Sequence, residues 1–142
     1  MALRYVYNSS GGDPVIEEFL LASVTTIRGE LISFNTAGFL TNADFASITT
    51  VLTAGVADDA VVGNASTVML PVICTRDARY VGDTTAAPAQ TDMGTNVTMD
   101  AAATVDENDP VTTSSGVIRT YKIVGTVGTA TQLLCSINYG TP

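Results

Sequence analysis

The chain has 142 residues, a length that suits one domain with its own core and leaves little room for two. Hydrophobic residues make up 46% of it and charged residues only 14%, so its strands are expected to carry hydroxyls and methyls outward, with part of the surface covered by something else. Six Lys+Arg against fourteen Asp+Glu give a net charge of −8; the cations Arg4, Arg28, Arg76, Arg79, Arg119 and Lys122 form no run, which argues against nucleic acid and anionic membrane as partners, because both need clustered positive charge.

In chain order, residues 1–13 read as an N-terminal arm and 14–142 as a single β domain. Leu3-Arg4-Tyr5-Val6-Tyr7 has strand propensity, and Asn8-Ser9-Ser10-Gly11-Gly12-Asp13 behind it reads as a hinge. Alternation places Leu3, Tyr5 and Tyr7 on one face of such a strand and Arg4 and Val6 on the other. These five residues are the candidate intersubunit arm, with Tyr5 and Tyr7 as anchors that add to a neighbour's sheet edge. Removal of the arm is then expected to leave the domain folded. Residues 15–24 form the next strand, with a short helix starting at Glu17 as the alternative. Arg28-Gly29-Glu30 turns into Leu31-Ile32-Ser33-Phe34, and Asn35-Thr36-Ala37-Gly38 turns into Phe39-Leu40-Thr41. A single turn of helix is expected over 42–46 and a β-branched strand over 48–57. The run 67–75 is apolar on both faces and belongs in the middle of the fold, although Pro71 inside it argues for a bulge or an edge. Residues 82–115 look looser, with one short strand near 93–99 and a charged turn at Asp106-Glu107-Asn108-Asp109-Pro110. The strands 116–124 and 131–139 close the chain, the latter with Leu133, Cys135, Ile137 and Tyr139 on one face. Seven to nine short strands without a long helical stretch specify an all-β fold, a small antiparallel barrel or sandwich.

Catalytic chemistry is hard to assemble from these residues. The chain has no His, which removes the side chain most used as a general base near neutral pH and the commonest metal ligand. Gly125-Thr126-Val127-Gly128 lacks the Lys and the following helix of a phosphate loop. The acidic pairs Glu17-Glu18, Asp58-Asp59 and Asp106-Glu107 are adjacent in sequence and point to opposite faces of a strand, so they do not converge. Asp106-Glu107-Asn108-Asp109 is rich in oxygen ligands but lacks calcium-loop spacing. Cys74 and Cys135 lie in apolar strand contexts and read as buried free thiols ahead of a disulfide or a reactive nucleophile. No enzyme, metal or cofactor is expected. The N-terminus has no signal-peptide core and no apolar run approaches the ~20 residues that span a bilayer, so synthesis in a cytoplasm without export is expected.

The order of segments nonetheless has a likeness. Gly29-Glu30-Leu31 is followed by the stretch 49–57 closing on Gly55-Val56-Ala57. Then come an apolar strand, Ala78-Arg79-Tyr80-Val81-Gly82-Asp83, Asp92-Met93-Gly94-Thr95-Asn96-Val97-Thr98-Met99, 118–124 and Leu133 to Asn138. Over about residues 15–140 this order resembles the small β-rich head decoration (cement) proteins of tailed bacteriophages. The resemblance implies a tulip-like β domain that is made in the host bacterial cytoplasm and binds the major capsid protein on the outer surface of the virion. It also implies a homo-oligomer, a trimer by preference, a terminal arm reaching across capsomers, and no catalytic residues. A tail-tube or fibre-associated part and a carbohydrate-binding or adhesion module are the competing functions; the absence of Trp counts against the last, since sugar sites favour aromatic platforms.

Overall fold

Short β-branched and aromatic runs punctuated by Gly, Asn and Asp turns give eleven strands among the described residues. The computed structural model describes residues 3–42, 52–100, 104–110 and 117–139. The strands are β1 (Arg4–Asn8), β2 (Ile16–Leu20), β3 (Leu31–Phe34), β4 (Leu40–Thr41), β5 (Leu52–Ala57), β6 (Met69–Ile73), β7 (Ala78–Asp83), β8 (Asn96–Asp100), β9 (Thr104–Pro110), β10 (Ile118–Ile123) and β11 (Gln132–Ile137). One 3-10 turn, Gln90–Asp92, precedes β8. The all-β expectation holds. The helical turn expected over 42–46 falls, past Asn42, outside the described residues, as do positions 48–51 of the strand expected over 48–57.

The strands form two antiparallel sheets, one of six in the order β1-β7-β11-β10-β8-β9 and one of five in the order β2-β6-β5-β3-β4. The five-stranded sheet is built wholly from one stretch, β2 to β6. The six-stranded sheet takes β7 to β11 and then β1, so the chain starts in one sheet, crosses to the other and returns. In the smaller sheet the outermost β4 meets the chain just past β2 at a single parallel bridge, Leu21 to Leu40; in the larger, outermost β9 meets the chain just past β7, the second strand, at a single parallel bridge, Thr84 to Val105. A bridge is not a ladder, so among the described residues neither sheet closes as a barrel.

Period-two alternation distributes the core. Neighbours in β3, β5 and β6 part to opposite faces: Ile32, Ala57 and Val72 join Leu21, Leu40 and Leu70 in the core of the five-stranded sheet. Leu31, Val56 and Ile73 turn the other way and pack with Tyr80, Val97, Val105, Ile118, Leu133, Cys135 and Ile137 of the six-stranded sheet. One apolar cluster is thus shared by both sheets. Burial of each such Val, Leu or Ile contributes about 1.5–3 kcal/mol.

Turn chemistry sets the connections. In the β3–β4 turn the Asn35 carboxamide oxygen accepts from the N–H groups of Ala37 (2.9 Å) and Phe39 (3.0 Å), and Gly38 takes the left-handed conformation, φ +86°, that a side chain would resist. The Asn64 carboxamide oxygen accepts from Ser66, Thr67 and Val68 on the way into β6.

Several expectations are corrected. The arm expected over 1–13 is, from Leu3 on, not separate from the rest of the chain: β1 pairs with β7 of its own chain, and Leu3 is 3% exposed in the shared core. Pro71 marks neither an edge nor a bulge, because β6 lies between β2 and β5. The N and C=O of a strand residue point the same way, and the Pro71 carbonyl accepts from Asp58, just past the end of β5, so the missing N–H faces a place where no ladder partner is required. The charged segment 106–110 belongs to β9. One step along β8, Val97 to Thr98, spans four along β9, Pro110 to Asp106, so residues 107–109 bulge from the register of a strand that charge and Pro suit to an edge. Both cysteines are free, but only Cys135 is fully buried; Cys74 is half-buried.

Candidate binding surface

β1 organises the surface that the sequence nominated. Its pairing runs Arg4 to Val81, Tyr5 to Tyr80, Tyr7 to Arg79 and Asn8 to Ala78, so Val6 is an extra residue in a bulge. One inserted residue flips the alternation beyond it. Leu3 and Tyr5 therefore share a face, as the alternation predicts, but it is turned into the chain's own core and not toward a neighbour, and Tyr7 does not join them: it turns out beside Arg79, and Asn8 takes the inward position. Inside, the Tyr5 ring meets Tyr80 edge-on at 6.2 Å and its hydroxyl donates to the Asn8 side chain at 3.1 Å. The Asn8 amide donates to the carbonyls of Gly12 (3.2 Å) and Asp13 (2.9 Å), and the Leu3 N–H donates to the Gly29 carbonyl at 2.9 Å. The residues read as a hinge are pinned as well. The Ser10 hydroxyl and its N–H both donate to the Asp77 carboxylate, which holds Asp77 below the usual carboxylate range.

Register then decides which side chains share the outer face of the six-stranded sheet. Arg4 stands beside Val81, Tyr7 beside Arg79, Val81 beside Leu134, Leu134 beside Lys122, and Ser136 beside Arg119. A second bulge, at Tyr121 between Thr120 and Lys122, puts the Tyr121 ring on this face, where its hydroxyl lies 2.9 Å from the Ser136 hydroxyl and the Arg79 guanidinium stacks on it at 4.3 Å, an attraction of about 0.5–1 kcal/mol at an exposed site. Arg119 donates to Asn96 at 3.4 Å. Four of the six cations of the chain, Arg4, Arg79, Arg119 and Lys122, thus stand on one sheet face. Val6 (41% exposed), Tyr7 (46%) and Tyr121 (37%) add apolar surface to it. One acid on this face is Asp83: burial alone would raise it, but hydrogen bonds to its carboxylate, one of them from the Gln132 amide at 2.9 Å, and nearby positive charge that includes Arg4 hold it below the usual carboxylate range. Beside Lys122 on this face lies a hollow of about 360 Å³ lined by Val6, Tyr7, Val81, Ile123 and Leu134 among others.

A second, larger groove, about 580 Å³, runs on the other side of β1. Leu3, Tyr5, Ile16, Val56 and Ile73 line it, with Arg4 and the ion pair of Arg28 and Asp58 (3.2 Å) at its rim. All five candidate residues of the sequence reading therefore touch one of the two concavities, and Arg4 through Tyr7 separate them.

The interior offers little reactivity. Burial pushes the Cys135 thiol up to about 12, and it raises Cys74, Tyr80 and Tyr139 as well. The Tyr80 and Tyr139 hydroxyls are buried without a partner, and the Arg76 guanidinium lies over the Tyr139 ring at 5.3 Å. Among the described residues no three His, Cys, Asp or Glu side chains are grouped to hold a metal ion, and no helix is long and apolar enough to cross a membrane.

The cationic face was missed in the sequence because its members are 75 and 40 positions apart, from Arg4 to Arg79 and from Arg79 to Arg119. A signal was present in the period-two spacing of Arg79 with Val81, Arg119 with Tyr121 and Leu134 with Ser136, but only strand order shows that these alternations share a face. Fold and surface together define an all-β chain of two curled sheets with one cationic, aromatic sheet face. No family model matches it, and no curated protein or solved structure is significantly similar to it.

Proposed function

We propose that the chain is a non-enzymatic structural protein that decorates the outer surface of a tailed-phage capsid, binding the major capsid protein as a homo-oligomer. In this reading the two curled sheets pack as a tulip-like sandwich, and the protein passes from the host cytoplasm to the virion. The observation that carries it is the cationic face with its exposed Val6, Tyr7 and Tyr121, on a chain whose net charge is −8. A mixed cationic, aromatic and apolar patch of this kind suits docking to protein, since Tyr and Arg are the residues that dominate interface energetics. The order of sequence segments shared with decoration proteins supports the same reading. A chain with this net charge is repelled by nucleic acid outside that one face.

Cosedimentation of the full chain with expanded capsid shells tests the reading. Binding at micromolar or tighter affinity, saturating at a fixed number of copies per shell, is expected, with no shift of duplex DNA at low salt. Failure to sediment with shells, or micromolar DNA binding, overturns it.

A further inference from the structure

β2 is the outermost strand of the five-stranded sheet, and no described strand lies beyond it. Two bonds fix which way its main chain points. The Cys74 N–H donates to the Val15 carbonyl at 2.8 Å, and the Leu21 N–H donates to the Val68 carbonyl at 2.9 Å, so the odd-numbered residues aim at β6. The register of β2 on β6 runs without a shift. The N–H and C=O groups of Ile16 and Glu18 therefore aim the other way, at the free edge. Further along the same side the Ala22 N–H donates to the Leu40 carbonyl of β4 at 2.9 Å, so this side of the chain accepts a strand where one is at hand.

The side chains along the open stretch are exposed: Ile16 at 45%, and Glu17 and Glu18 beside it. Glu18 shares a face of the sheet with Ile16 and Pro71, whereas Glu17 stands on the opposite face with Val72. An edge with an acid on each face repels a copy of itself, because β2 against β2 brings the carboxylates of both copies together. It attracts a strand with two successive cations. Neighbours in such a strand also part to opposite faces, so each cation meets the carboxylate on its own face. At Ile16 the edge reaches the groove rimmed by Arg4 and the Arg28–Asp58 pair, which disfavours a further cation there and suits an apolar side chain. No two cations of this chain are adjacent in sequence, so the complementary segment is not its own.

We infer that the free edge of β2 takes up an extended segment of another protein, with an apolar residue beside Ile16 and two successive Lys or Arg residues beside Glu17 and Glu18. Main-chain bonds to Ile16 and Glu18 supply affinity, and the two carboxylates select sequence and register. The added strand extends the smaller sheet by one and covers Ile16. This edge belongs to the smaller sheet and the cationic face to the larger, so the inference stands whether or not that face docks a capsid shell.

Titration of the isotope-labelled full chain with a peptide, followed by amide NMR at low salt, tests it. The probe is acetyl-Thr-Val-Lys-Lys-Val-Thr-amide. It is expected to bind with a Kd on the order of 0.1 to 1 mM, to move the Ile16 and Glu18 amide resonances and to slow their exchange with solvent. A peptide with Glu in place of both Lys, and one that keeps both Lys but has its main-chain nitrogens methylated, are each expected to bind at least about tenfold more weakly. Glu17→Lys with Glu18→Lys, at unchanged circular dichroism, is expected to reverse the preference between the Lys and Glu peptides. No binding of the Lys peptide at about 1 mM, equal binding of the methylated peptide, or resonance changes centred away from β2 overturns the inference. So does protection of the same amides without peptide as the protein is concentrated, which would assign the edge to a second copy.

Discussion

The two sheets curl alike but are assembled differently. The five-stranded sheet comes from one continuous stretch, and the bridge that joins its ends, Leu21 to Leu40, is reinforced by the Ala22 N–H donating to the Leu40 carbonyl at 2.9 Å. Its contacts are backbone against backbone. The six-stranded sheet needs β1, which arrives from the far end of the chain before the other sheet is made, and β1 and β9 lie one after the other along the free edge of β7. At their junction, Gly82 faces the side chains of Leu3 and Val105. Each half thus has one main-chain bridge, but the smaller is joined wholly by local chain, whereas the larger also depends on a remote strand and on side-chain packing around Gly82. The first kind of closure is rigid and cheap in loop entropy. The second is adjustable and depends on a long-range contact.

The comparison breaks first at β1. Leu3 contributes to the shared core, and its N–H ties β1 to Gly29 beside the smaller sheet, so Leu3→Ala is expected to cost about 2–5 kcal/mol and to lower the thermal midpoint by on the order of 10 °C. Deletion of residues 2–8 is expected to do more and leave the six-stranded sheet without its native packing. A deletion variant that melts within a degree or two of the wild type would show that β1 is a dispensable terminus after all.

Two glycines sharpen the contrast. A Cβ on Gly55, which sits at φ +152°, would lie 2.1 Å from the Ile73 carbonyl oxygen, and only movement of β5 from β6 relieves that. A Cβ on Gly82 would lie 2.9 Å from Leu3 Cδ2 and 3.0 Å from Val105 Cγ2, side-chain atoms that can give way. Gly55→Ala is expected to cost on the order of 3 kcal/mol or more and Gly82→Ala about 1–2 kcal/mol, read from urea midpoints. Equal losses would mean that the larger sheet is as rigidly closed as the smaller.

The smallest effect is on thiol reactivity. Cys74, just past β6, is half-buried, and burial and the charge of Glu17 raise its thiol. Cys135, at the centre of β11, is fully buried and pushed up to about 12. The thiolate is the reactive form, so a polar disulfide reagent at mildly alkaline pH is expected to label Cys74 slowly and Cys135 only as fast as the protein unfolds. Loss of the first phase in Cys74→Ser confirms the assignment; two phases of equal rate contradict it.

The sequence by itself determined the all-β class, the turns at 28–30, 35–38 and 125–129, and the inward set Leu133, Cys135 and Ile137, because alternation and turn chemistry are local. It also picked out Leu3 to Tyr7 as a strand, but it made that strand an arm. Nothing within five residues says which edge they will join, and the Val6 bulge that turns Tyr7 outward exists only against the register of β7. Pro71 read as an edge signal because a missing N–H is harmful inside a ladder; the tertiary structure aimed it at a place where β5 has already ended. Segment 106–110 read as a turn because charge and Pro oppose a central strand, whereas β9 is an outermost one. The cationic face was beyond sequence reading for the same reason. Arg4, Arg79, Arg119 and Lys122 are scattered along the chain, and only the order β1-β7-β11-β10, with its two bulges, brings them to one side of one sheet.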